Sequence, residues 1–222
     1  MAKAPIVVQW GTDTVAESKM RAMGVTYKYV ANVHIAEIDL KTSKANNARL
    51  MDPYDETLVQ EYAQAMQTDT FPAIILVKKK RGKFLVLSGN HRLGAAIENA
   101  QETISAYILD EWDDRANELI ARSANRWTGK RQDRDEAIQH ARYLINSYNM
   151  SIPEVAQALS LGTSALERAM RAEDVRDQLS ELKVDASGIA LTTLNKINKI
   201  RYTPEVMAAT ATVISEHDLN FE

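Results

Sequence analysis

Strand-like patterning is confined to the first half of this chain: alternating and continuous apolar runs occur up to Leu109, and from Asp113 onward one helical pattern follows another. A chain patterned this way reads as an α/β (α+β) amino-terminal half followed by an all-helical half, and 222 residues suffice for either one large domain or two small ones. The boundary falls near Trp127 to Asp133, giving expected domains at 1–126 and 127–222.

Before Val25 the signals are weak. From Val25 to Leu40 apolar and polar residues alternate, which predicts a strand or hairpin. Asp55 and Glu56 then open a stretch in which Leu58, Val59, Tyr62, Ala63 and Met66 share helical spacing. Phe71 to Val77 reads as a buried strand, Lys78 to Lys83 as a basic turn, and Phe84 to Leu87 as a second strand, together a hairpin. A further strand is expected over Thr103 to Leu109. Helices follow at Arg115 to Ser123, Asp135 to Asn146, Ile152 to Leu159, Ser164 to Met170, Leu191 to Ile200 and Pro204 to Ser215.

Composition narrows the chemistry. The absence of cysteine removes disulfide scaffolds, thiolate zinc sites and thiol nucleophiles together. His34, His91, His140 and His217 lie far apart, which argues against a histidine-built metal centre. With 27 Lys and Arg against 30 Asp and Glu, the net charge of −3 argues against a uniformly basic surface and leaves room for a local basic face. Neither a secretory leader pattern nor a spanning apolar run is present, so a cytoplasmic protein with no membrane partner is expected.

Two stretches carry chemistry. In the first, the strand Phe84 to Leu87 runs through Ser88-Gly89-Asn90-His91-Arg92 directly into the helical Leu93 to Ile97. The first-turn N–H groups of a helix attract anions, and a planar arginine can grip two phosphate oxygens, so this loop reads as a phosphate site; His91 also fits a plain hydrogen-bonded structural role. In the second, Ser151 to Arg171 has the form of a helix-turn-helix. Ser151 caps the first helix, Pro153 sits in its opening turn, Ser160-Leu161-Gly162 forms the turn, and Leu166 points inward. Thr163, Ser164, Glu167, Arg168 and Arg171 then face outward as the side chains of a recognition helix would. The same pattern also fits a plain helical hairpin, and the acids Glu173, Asp174, Asp177 and Glu181 against Arg176 weigh against DNA. Arg122, Arg126, Lys130, Arg131 and Arg134 form a basic stretch that suits either phosphates or a solvated linker, and Lys196, Lys199 and Arg201 form a smaller one.

In this order the motifs resemble the ParB partition-protein family, within the wider ParB/sulfiredoxin superfamily. The resemblance runs from about Tyr29 to the carboxyl end. Ile35 to Leu40 is similar to the family's first strand, Arg49 to the arginine of its Gln-Pro-Arg segment, Pro72 to Val77 to its Pro-started strand, and Ser88 to Arg92 to its Gly-Glu-Arg-Arg loop. Asn125 stands twelve residues before Ala137, the spacing of the family's asparagine to the alanine of its Glu-Glu-Ala.

The resemblance implies a nucleotide-binding domain that takes CTP with Mg²⁺, followed by a DNA-binding helical domain, in a homodimeric clamp serving partition on a chromosome, plasmid or phage. It places Arg49, Ser88, Gly89, Asn90, His91, Arg92 and Asn125 at the nucleotide, Asn125 at the metal, and Thr163, Ser164, Arg168 and Arg171 at DNA. Three departures matter. The loop glutamate is Asn90, and an amide cannot act as a base, so the protein is expected to be at most a weak CTPase. The metal-side glutamate is Ala124, and the closing arginine of that motif falls on Thr128. The loop's His-Arg ending is similar to sulfiredoxin's Gly-Cys-His-Arg without the cysteine, which excludes sulfinic-acid reduction. The chain ends at Glu222 without room for a separate dimerisation domain, so a homodimer is expected to use the domains present. The alternative is a nucleotide-dependent phosphotransferase similar to free-serine kinases, with Glu37 or Asp39 as its base.

Overall fold

The computed structural model describes residues 8–41, 55–79, 82–110, 113–128, 134–200, 203–217 and 219, with backbone alone at 125–128 and 134. The chain divides into two compact units, one of residues 1–140 with 158–160, the other of residues 141–157 with 161–222. The division falls inside a helix, Arg134–Tyr148.

In the first unit the elements run β1 (Gln9–Gly11), α1 (Thr14–Ala22), β2 (Tyr27–His34), a 3-10 turn (Ile35–Glu37), α2 (Glu56–Ala65), β3 (Thr70–Pro72), β4 (Ile74–Lys78), β5 (Phe84–Ser88), α3 (Asn90–Glu98), β6 (Thr103–Leu109) and α4 (Asp114–Thr128). Four strands form one sheet in the order β2-β6-β4-β5, with β4 parallel to β6 and the other pairs antiparallel. β1 and β3 form a separate parallel pair, with Trp10 opposite Phe71 and Gly11 opposite Pro72.

Strand alternation accounts for the packing. Ala73, Ile75 and Val77 face one side with Leu85, Leu87, Tyr107 and Leu109, covered by Ala16 and Met20 of α1 and by Ile120, Ala121 and Ala124 of α4. Ile74 and Leu76 face the other side with Val86, Ile104 and Ala106, against Leu93 and Ala96 of α3. Ile74 to Val77 are therefore all buried, as expected of a strand covered on both faces. Asp55 caps α2 by accepting a hydrogen bond from the Leu58 N–H at 3.1 Å, and Val59, Ala63 and Met66 of that helix pack on Ala95 of α3.

The structure refines three expectations. Val25 to Leu40 holds one strand followed by a 3-10 turn, because β2 pairs only with β6, through a bulge between Val30 and Val33. The expected strand Phe71 to Val77 breaks at Ala73: Pro72 has no N–H, and the Ala73 N–H serves the β1–β3 pair, donating to the Gly11 carbonyl at 3.0 Å. The weakly patterned start forms β1 and α1, the latter capped by Asp13.

In the second unit, α5 (Arg134–Tyr148) leads to α6 (Ile152–Ala158), α7 (Thr163–Glu181), α8 (Leu191–Ile197), a 3-10 turn (Asn198–Ile200) and α9 (Pro204–Glu216). Its core joins Ala172, Val175 and Leu179 of α7 to Leu194 and Ile197 of α8 and to Met207, Ala211 and Ile214 of α9. No strand occurs after Leu109 among the described residues, so the observed fold is a mixed α/β unit followed by helices. Among them no helix is long and apolar enough to cross a membrane.

Candidate functional site

β5 ends at Ser88, buried and paired with Ile75, and the chain turns at Gly89 into α3. Gly89 has φ +106, a left-handed conformation that L side chains rarely adopt. A Cβ there would lie 2.4 Å from Ile74 Cγ2 and 2.8 Å from Ile74 Cβ, so the glycine is required both by conformation and by close approach to β4. The N-cap residue Gly89 has no side chain to cap α3, whose first-turn N–H groups carry the positive end of the helix dipole.

Asn90, His91 and Arg92 occupy the first turn of α3. The Asp55 N–H donates to His91 Nε2 at 3.0 Å, so that nitrogen acts as an acceptor and ties the start of α2 to α3. Arg92 Nη1 donates to the carbonyls of Pro72 and Ala73 at 2.6 and 2.9 Å. Burial lowers the Arg92 pKa, opposed by the charges of Tyr62 and Asp13. The loop thus brings together Ser88, Gly89, Asn90, His91 and Arg92, with Arg92 seated on the β3–β4 junction.

Arg49 lies outside the described residues, as does the side chain of Asn125, whose backbone belongs to α4. Ala124 is buried among Ile120, Ala121 and the sheet, so the position that resembles a metal-side glutamate faces an apolar core. Among the described residues no group of three or more His, Asp or Glu is arranged to hold a metal ion. Mg²⁺ sites use one or two carboxylates beside the phosphates, and Asn90 and Ala124 supply neither. The residues fit a phosphate group better than a protein-held magnesium ion. Asp39 is ion-paired with Lys79 at 2.8 Å, and Glu37 is exposed.

In the second unit, Ser151 caps α6, its hydroxyl accepting from the Glu154 N–H at 3.4 Å. The Leu161 N–H closes the following turn on the Ala156 carbonyl at 2.8 Å. Thr163, Ser164, Arg168 and Arg171 are all exposed on α7, and residues 164, 168 and 171 fall on one helical face, while Leu166 and Ala169 are buried. Asn195 Nδ2 donates to the Arg168 carbonyl at 3.2 Å, docking α8 beside this face; Lys196 and Lys199 are exposed nearby in the chain.

Of the acids of α7, Glu167 shares the face of Ser164 and Arg171, while Glu173, Asp174 and Asp177 lie against arginines. Glu173 is buried and accepts from Arg176 Nη1; Arg142 of α5 reaches Glu173 at 3.8 Å and Asp174 at 4.0 Å, and donates to Asp177. The Asp177 hydrogen bond is the main cause of a raised Arg142 pKa. Arg142 carried no signal in the sequence, since its partners lie more than thirty residues away. The basic stretch is partly consumed too: Arg122 pairs with Glu118 at 3.0 Å, while the side chains at Arg126, Lys130, Arg131 and Arg134 lie outside the described residues.

Residues 26–125 match the model of the ParB N-terminal domain. The chain is 24% identical over 154 residues to a nucleoid occlusion protein of Halalkalibacterium halodurans, covering 68% of this chain and 54% of the relative. It is 27% identical over 141 residues to one of Shouchella clausii, covering 64% and 49%. The chain spans about half the length of the curated relatives it matches. Two structures of C-terminally truncated ParB from Caulobacter crescentus are similar at 16% identity. The one complexed to the centromeric parS site gives a TM-score of 0.49 over 82% of this chain and 98% of that one. The one complexed with CTP-γ-S gives 0.34 over 87% and 99%. Over residues 26–125, a little under half of its length, the chain is similar to the ParB N-terminal domain.

Proposed function

We propose that the first unit binds a nucleoside triphosphate, CTP being the one its ParB resemblance implies, and that α6 and α7 form a helix-turn-helix that binds DNA. The observation that carries the reading is the Gly89 turn: a left-handed glycine pressed on Ile74, opening a helix whose N-cap residue has no side chain, with Arg92 in its first turn. Backbone N–H groups of such a turn suit phosphate oxygens, and a guanidinium beside them adds charge-assisted donors. The names of the two relatives support a role at the nucleoid, in the cytoplasm, and a homodimer would let two such helices meet successive half-sites.

The protein acts as a binding switch with weak or no hydrolysis, because Asn90 cannot take a proton from water. Calorimetric titration with CTP, ATP, ADP and GTP, with and without Mg²⁺, tests the nucleotide half. Selective CTP binding that survives removal of Mg²⁺ and disappears in Arg92→Ala, with circular dichroism unchanged, is the expected result. Binding that persists in Arg92→Ala removes the phosphate role from the loop, and failure of every nucleotide to bind overturns this half of the reading.

A further inference from the structure

The stretch from Val8 to Val25 precedes the family-matched residues 26–125, yet it is built into the same unit at the loop just described. Two anchors hold it. The Ala73 N–H donates to the Gly11 carbonyl at 3.0 Å, continuing the β1–β3 pairing past Pro72. Two residues on, the Asp13 N–H donates to the hydroxyl of Tyr107 at 2.6 Å, and that hydroxyl donates to Glu17 Oε1 at 2.9 Å. Tyr107 is fully buried in β6, with the rings of Tyr27 and Tyr29 packed 5.4 and 5.5 Å from its own. Asp13 also accepts from the N–H groups of Val15 and Ala16, so α1 begins where Tyr107 holds it.

The phosphate loop grips the same short segment. Arg92 donates to the carbonyls of Pro72 and Ala73, and Gly89 lies against Ile74. Ala73 is the shared residue: its N–H belongs to β1 and its carbonyl to Arg92.

We propose that the β1–α1 segment is a positioning element for the phosphate loop, with Tyr107 as its anchor: Tyr107 sets Asp13, β1 sets the Ala73 peptide, and Ala73 sets the guanidinium of Arg92. The inference rests on the reading of this loop as a nucleotide site. A planar guanidinium meets phosphate oxygens productively only within a narrow range of position and angle, so slack in its seat is felt as lost affinity.

The test titrates CTP into the full chain and into Tyr107→Phe, with hydrogen exchange followed at the Ala73 amide. Losing one buried hydroxyl bridge is expected to weaken CTP binding about tenfold and to speed exchange at Ala73, with secondary structure unchanged. Gly11→Ala is a second variant should Tyr107→Phe not fold: the new Cβ would meet Thr70 Cγ2 at 3.1 Å and push β1 off β3. It is expected to lose affinity severalfold and to regain it with Thr70→Ser, which deletes that methyl group. A fall in melting temperature with CTP affinity unchanged in both variants assigns the segment to stability alone and overturns the inference, leaving the nucleotide reading intact. A wild-type chain that binds no CTP overturns both.

Discussion

Gly89 is the residue at which backbone and packing requirements coincide. Gly89→Ala would combine a disfavoured left-handed φ with overlap on Ile74, and is expected to cost about 2–4 kcal/mol in urea unfolding. Adding Ile74→Ala should not restore the loss, because it relieves only the overlap and opens a cavity in a fully buried strand. Tyr107 gives a second prediction at this scale. Burial, foremost, pushes its hydroxyl pKa well above 10, and the Glu17 bond adds to the shift. The folded protein therefore holds this proton after the unfolded chain has lost it, so its contribution is complete below about pH 10 and declines as pH rises further. Alkaline unfolding curves should show a steeper fall for wild type than for Tyr107→Phe; parallel curves would assign the fall to the other tyrosines.

Among the elements, α7 shows how sequence can mislead about charge. Its pattern suggests a short helix ending near Met170, and its following acids weigh against DNA, whereas it runs to Glu181 with Glu173, Asp174 and Asp177 facing Arg142 or Arg176. Glu173 could not be buried without such partners. Arg142→Met is expected to destabilise the second unit by about 1–3 kcal/mol, less than for a fully orphaned charge because Arg176 still serves Glu173. Thermal unfolding followed by tyrosine fluorescence or calorimetry reads this, and a midpoint equal to wild type would leave the cluster without energetic weight. β3 and β4 show the reverse case: Pro72 was visible in the sequence, but its consequence, a break that frees the Ala73 peptide for β1 and Arg92, depended on elements sixty residues before and twenty after.

For the whole molecule, the proposed function requires two separable activities on one chain. Arg168→Ala and Arg171→Ala should each weaken DNA binding and lower the slope of log affinity against log salt by about one, since each removes one cation from an exposed face. Fluorescence anisotropy across a salt series measures both; unchanged slopes would place the DNA contacts elsewhere. The expected direction is set by local charge, because the net charge of −3 gives no general attraction to DNA.

Local pattern alone determined the class of each half, the helix capped by Asp55, the hairpin of β4 and β5, and the strand-to-helix loop at Gly89, because apolar period, capping side chains and glycine act over a few residues. Only the tertiary structure decided what those residues touch. That His91 accepts from Asp55, that Arg92 sits on Pro72 and Ala73, and that Tyr107 holds Asp13 are contacts across nineteen to ninety-four positions. The weakly patterned β1 and α1 belong to this second class as well: a three-residue strand has too few positions to show a period, and it exists here because β3 lies beside it.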